Sequence, residues 1–83
     1  MKQLELFPEE VRVVRVDPSC NMYRFYRMRV EPDLFGGVTL FKEWGRIGTG
    51  GRQIAEPFVD AGQAVDKLLA HMHAKVRRGY CQA

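Results

Sequence analysis

The chain has no run approaching the ~18 consecutive apolar residues of a membrane-spanning helix, so a helical membrane protein is not expected. Its first residues set Lys2 among Glu5, Glu9 and Glu10 and lack the apolar stretch of a secretory leader, so a cytoplasmic protein is the expectation. Cysteine is scarce. Cys20 and Cys81 lie far apart, neither sits in a Cys-x-x-Cys pair, and both are expected as reduced thiols. Serine occurs once, at Ser19, outside any nucleophile-elbow context. The two histidines, His71 and His73, are two residues apart, so on a helix they point about 200° away from each other and cannot share a metal. The carboxylates are scattered, with no acid–base pair among them. A chain of 83 residues buries only ~60% of its unfolded surface, which leaves little room for a deep active site. These absences together lead us to expect no enzyme, no metal, no cofactor and no small-molecule substrate.

What is present suits a small globular domain. Apolar residues make up 46% of the chain, too many for a disordered segment. The formal charge is +3 and the isoelectric point about 9.1, which permits nucleic-acid binding without demonstrating it. Nine of the thirteen basic residues are arginine. Arginine suits planar two-point contact with phosphate better than lysine does, although a genome rich in GC would give the same bias.

Residues 1–10 read as an N-terminal arm with Leu4, Leu6 and Phe7 free to dock, and residues 11–83 as one domain. Val11–Val16 is dense in β-branched residues and predicts a first strand. After a turn at Asp17-Pro18-Ser19, Tyr23–Val30 alternates as a second strand, with Tyr26, Met28 and Val30 on one face and Phe25, Arg27 and Arg29 on the other. Val38–Trp44 predicts a third strand. Gly45–Gly51 predicts a tight hairpin loop, and Arg52–Phe58 a fourth strand whose Pro57 confines it to a sheet edge or bulge. The period then changes. Ala61, Ala64, Val65, Leu68, Leu69, Met72 and Val76 recur at helical spacing, with Asp60 as N-cap, Gln63 completing a capping box and Gly79 ending the helix. The expected fold is α+β: an antiparallel sheet of about four strands packed against one C-terminal amphipathic helix.

The strongest local signal is Trp44-Gly45-Arg46-Ile47-Gly48-Thr49-Gly50-Gly51. It lacks the GxxxxGK[ST] pattern of a phosphate-cradling loop and joins two strands instead of opening a helix. Its parts nonetheless suit a nucleic-acid end. Gly45 has no Cβ, so another backbone or a ligand can come close. Trp44 offers a flat surface for a sugar or base, and Arg46 a forked cation for phosphate. The bland alternatives are a core tryptophan and an Arg46 ion pair with Glu43 or Glu56.

This Trp-Gly-Arg-Ile-Gly turn with its further glycines resembles the WGR domain, and the resemblance runs from about Val11 to Tyr80. The aromatic pair Phe25-Tyr26, then Met28 and Val30, then Phe58, Ala64 and the closing Gly79-Tyr80 all follow the family pattern. The module is best known beside the catalytic region of poly(ADP-ribose) polymerases and also occurs in bacterial proteins and alone. The polymerase activity belongs to a separate domain that has no room in this chain. The resemblance implies that Trp44 packs on a terminal sugar at a DNA break, ahead of Gly45, while Arg46 holds the backbone. In the polymerases the matching arginine also bridges to a neighbouring domain. Arg24, Lys42 and Arg52 are candidates for a basic patch beside the turn, or else a solvated face. Asn21 is the candidate for the family's DNA-contacting asparagine, although it stands four residues before Phe25 where the family has two, and Tyr23 takes the expected place. The expected function is a non-catalytic module that binds DNA ends, nicks or gaps with little base specificity. The alternative is a protein-interaction or regulatory module acting in trans on a repair or transcription partner.

Overall fold

The computed structural model describes residues 10–82. The arm expected at the N-terminus, with Leu4, Leu6 and Phe7, lies outside them apart from Glu10, which opens the first strand. The strands are β1 (Glu10–Asp17), β2 (Met22–Pro32), β3 (Val38–Arg46) and β4 (Arg52–Phe58), followed by helix α1 (Ala61–Arg77) and a short β5 (Cys81–Gln82). A 3₁₀ turn at Pro18–Cys20 joins β1 to β2. All pairs are antiparallel, and the order across the sheet is β4-β3-β2-β1-β5. The α+β architecture is as expected, but the sheet has five strands where about four were expected. After the helix the chain comes back along the free edge of β1, with Val14 opposite Cys81 and Val13 opposite Gln82. Two residues are too few to show a period, so nothing local announces β5.

Alternation puts Val11 and Val13 of β1, Met28 of β2 and Leu40 of β3 on one face, and α1 covers that face with Ala64, Val65 and Leu68. Val11, Val13, Met28, Leu40 and Leu68 are all but fully buried, and Tyr80 plugs the open end of the same core. The helix begins as its sequence demands, with the Asp60 carboxylate accepting from the Gln63 backbone N–H at 2.9 Å. It ends in a Schellman arrangement: Gly79, at φ +96°, donates to the Val76 carbonyl at 3.0 Å, and Tyr80 donates to that of Lys75 at 3.1 Å. The reversal at Gly79 turns Tyr80 into the core and aims the chain at β1.

Among the described residues the other sheet face carries no helix, and most of its charges pair with one another, while Arg12 lies over the Phe25 ring at 5.8 Å. Arg27 is bound to Glu10 and lies 3.2 Å from Glu43. Arg29 reaches Glu31 at 2.7 Å and lies over the Phe41 ring at 4.5 Å. Pro57 falls on β4, an edge strand, where its missing N–H costs no interior ladder bond. At the β2–β3 connection the Asp33 carboxylate accepts from the backbone N–H groups of Phe35 (2.7 Å) and Gly37 (3.0 Å). That turn holds out Leu34 and Phe35, which are 95% and 93% exposed.

Leu68 is the test of this packing. Leu68→Ala leaves a cavity between helix and sheet, and urea denaturation should show a loss of about 2–5 kcal/mol. A loss well under about 1 kcal/mol would mean that α1 does not seat on the sheet as described.

Candidate nucleic-acid interface

The β2–β3 register builds the site. Residues directly opposite in an antiparallel pair share a face, and here Arg24 faces Arg46, Phe25 faces Gly45 and Tyr26 faces Trp44. Arg24, Tyr26, Trp44 and Arg46 therefore stand on the helix side of the sheet, beyond the C-terminal end of α1. Phe25 points the other way. The adjacent aromatic pair of the sequence is divided between the two faces.

Phe25 explains the glycines. It is 9% exposed and lies under the β3–β4 hairpin. A Cβ on Gly45 would stand 2.7 Å from the Gly51 Cα and 3.5 Å from the Phe25 ring. Gly51, at φ +66°, passes so close to the Trp44 carbonyl that it has no room for a side chain. The sequence left open whether Gly45 admits a backbone or a ligand, and the structure shows a backbone. The hairpin is closed by the Arg46 carbonyl, which accepts from Thr49 N–H at 3.0 Å and Thr49 Oγ1 at 2.7 Å. The Ile47 N–H donates to the Tyr23 carbonyl at 2.8 Å. Trp44 and Arg46 are thus carried on a fixed turn.

Trp44 is half-buried and stacks on Tyr26, with ring centroids 5.8 Å apart and 14° between planes. Tyr26 stacks in turn on His71 at 6.5 Å, and the Lys75 ammonium lies 4.4 Å from its ring centroid. Burial, then the neighbouring Tyr80, raises the Tyr26 hydroxyl above its ordinary value, so the phenol stays protonated. Arg46 pairs with neither Glu43 nor Glu56. Its guanidinium donates to the Asn21 side-chain oxygen at 3.3 Å and backbone carbonyl at 3.4 Å, and it lies over the Tyr23 ring at 5.0 Å. Asn21 has φ +52°, and no other non-glycine among the described residues has a positive φ. Arg46 is oriented by neutral partners, so its charge stays available.

These groups line one cleft of about 570 Å³, from Asn21 and Tyr23 across Tyr26 and Trp44 to Lys75 and Tyr80. Arg24, Arg46 and Lys75 contribute cations to its wall, and among the described residues no carboxylate does. Burial first, then Arg78 and Arg24, pushes the Lys75 ammonium below its ordinary value.

Of the residues singled out in the sequence, Asn21, Arg24, Trp44, Gly45 and Arg46 meet here. Arg52 stands exposed on β4 opposite Trp44. Lys42 does not join them. It is 8% exposed beneath the helix, with Nζ 3.4 Å from Glu56 and 3.5 Å from His71 Nε2. Lys42 has only protons to give, so His71 accepts and is held neutral. Burial, then Lys42, pushes the His71 pKa below 6.5. Sequence reasoning missed Tyr23, Tyr26, Lys75 and Tyr80 as members of the cleft. Tyr26 reads as core because it alternates with Met28 and Val30, and Lys75 reads as a dipole-facing cation of the last helical turn.

A family model described as WGR domain matches residues 9–83. The chain is similar to a protein of Sinorhizobium fredii (strain NBRC 101917 / NGR234) described as uncharacterized, with 44% identity over 73 residues. That match covers 88% of this chain and 36% of the relative, so the chain spans about a third of the relative's length. No solved structure matches the chain.

Two expectations follow. Gly45→Ala forces Cβ into Gly51, so the hairpin must shift. Thermal melting should show a clear loss of stability, and the Trp44 indole resonances should move; unchanged melting and spectra would mean the close approach is not there. His71 binds its proton less readily folded than unfolded, so the unfolded chain protonates first as pH falls below about 6.5. His71 therefore contributes full stability above that pH and loses it as pH drops toward the lowered folded value. Denaturation between about pH 7.5 and 5.5 should show a steeper decline for the wild type than for His71→Gln, and equal slopes would refute it.

Proposed function

The chain belongs to the WGR domain family, a family of nucleic-acid-binding modules, and from that premise we propose that it is a non-catalytic module that binds DNA at ends, nicks or gaps with little base specificity. One observation carries this reading: the cleft combines two stacked aromatic rings, Tyr26 and Trp44, with the cations Arg24, Arg46 and Lys75 and has no carboxylate in its wall among the described residues. An aromatic surface ringed by cations fits a sugar or base face with its adjoining phosphate. A carboxylate in the wall would repel that phosphate. A terminal sugar or an unstacked base face exists where a strand terminates or is interrupted, and an intact duplex offers neither. The cations of the wall suit phosphate, and phosphate contacts carry no sequence information, so discrimination among bases is expected to be small. Trp44 is the platform, held against Tyr26. Arg46 is the phosphate clamp, aimed by Asn21 and Tyr23, and Arg24 and Lys75 add charge.

A protein-interaction role in trans is the second reading, and the exposed Leu34-Phe35 tip favours it. The tip stands on the β2–β3 turn, at the far end of β3 from Arg46, so an apolar contact there leaves the cleft free.

A binding panel of single-stranded, blunt, nicked and gapped DNA, with and without a 5′-phosphate and at two salt concentrations, separates these readings. We expect nicked or gapped DNA to outcompete an intact circle. Affinity should fall with salt at a log–log slope of about −0.9 per contact over roughly three to five contacts. Trp44→Ala should cost about 1–3 kcal/mol of end binding. An intact circle that competes equally well removes the end preference. Absence of measurable DNA affinity, with a specific protein retained after nuclease treatment and lost in Phe35→Ser, supports the second reading instead.

A further inference from the structure

Three arginines occupy one row across the sheet. Arg15 of β1 lies directly opposite Arg24 of β2, and Arg24 lies directly opposite Arg46 of β3. Direct opposition places all three on the helix side, beside the C-terminal end of α1. Like charges at directly opposed positions destabilise a sheet, and here two such pairs are adjacent.

The two faces of the sheet treat their arginines differently. On the open face Arg27 and Arg29 are neutralised by Glu10, Glu31 and Glu43, and Arg12, directly opposite Arg27, lies over the Phe25 ring at 5.8 Å. On the helix face no carboxylate lies within salt-bridge distance of Arg15, Arg24 or Arg46 among the described residues. Asp17, two residues on along the same face of β1, feels the Arg15 charge, but its carboxylate takes the Ser19 hydroxyl at 2.6 Å and lies beyond salt-bridge distance of Arg15. Arg15 passes against Gly79, where a Cβ would stand 3.3 Å from its Nε, so the glycine that ends the helix also clears the path of this side chain. Arg24 and Arg46 line the cleft, and Arg15 lies beyond it.

We propose that Arg46, Arg24 and Arg15 form a phosphate track that leads a nucleic-acid strand away from the cleft, across β3, β2 and β1 in that order. Neighbouring strands lie ~4.8 Å apart, so the row spans about 10 Å. The backbone winds around the duplex axis, so neighbouring phosphates stand farther apart than the ~3.4 Å axial rise, and the row spans roughly one to two phosphate steps. Arg46 then serves the phosphate at the strand end, and Arg15 one roughly two nucleotides inward. The carboxylate-free row, an electrostatic liability in the free protein, becomes complementary to a polyanion. The inference deepens the reading of the cleft as a DNA-end site and rests on it, while adding a direction and Arg15, a residue outside the cleft.

The test uses the full chain and a 5′-phosphorylated nicked duplex in which single linkages are made neutral by methylphosphonate substitution. For the wild type, neutralising a linkage roughly two nucleotides from the nick should weaken binding. Arg15→Gln should weaken binding to the unmodified duplex, flatten the salt slope by about 0.9, and be indifferent to that neutral linkage while remaining sensitive to Trp44→Ala. Arg15→Lys should restore most of the slope. The track is overturned, with the cleft reading intact, if Arg15→Gln lowers the melting temperature yet leaves the slope and the linkage profile unchanged, because Arg15 then only props the helix end. Failure of the wild type to bind any of these duplexes at low salt overturns both.

Discussion

Everything at the candidate site depends on the register of β2 against β3. Side chains alternate with a period of two, so a slip of one residue would exchange the faces of every side chain on the slipped strand. In the observed register Met28 and Leu40 enter the core, Tyr26 meets Trp44, and Arg24 meets Arg46. Two contacts lock it. Phe25 fills the space that Gly45 and Gly51 leave open on one side, and the Ile47 N–H bonds the Tyr23 carbonyl at the strand end. The Trp-Gly-Arg triplet is thereby given three separate jobs. Its tryptophan and arginine face the cleft, while its glycine lets the hairpin fold back over Phe25.

The helix completes the site from the opposite direction. Its apolar stripe decides how far α1 reaches along the sheet, and the Schellman turn at Gly79 stops it where Lys75 overhangs Tyr26 and Tyr80 closes the core. The cleft is the space left beyond the end of the helix, roofed by its last turn. The negative end of the helix dipole lies beside the densest group of cations and partly offsets their mutual repulsion.

Charge is divided between the faces. On the open face arginines and glutamates interleave, which suits a solvated sheet surface. Under the helix a single buried lysine, Lys42, is reconciled to its position by Glu56 and a neutral His71. Around the cleft three cations, Arg24, Arg46 and Lys75, gather beside aromatic rings, and among the described residues no carboxylate stands in the wall to neutralise them. A modest net charge of +3 conceals this arrangement, because acids spent on the open face and beneath the helix leave the cleft wall uniformly cationic.

The sequence by itself determined the elements and the family. Strand alternation, the capping pattern of Asp60 and Gln63 and the stop at Gly79 are local signals, and the helix and four long strands follow from them. The spacing of tryptophan, arginine and glycines is likewise a one-dimensional pattern. Tertiary structure alone decided what pairing across the sheet and packing under the helix bring together. It drew Cys81 and Gln82 into a fifth strand on the edge of β1, buried Lys42, set Asn21 against Arg46, and joined Tyr26 and Lys75 to Trp44. These partners are separated by between 18 and 69 residues along the chain, and no periodicity spans such gaps. Local physics names the strands, but the register between them decides which side chains share a face, and that register is a property of the assembled sheet.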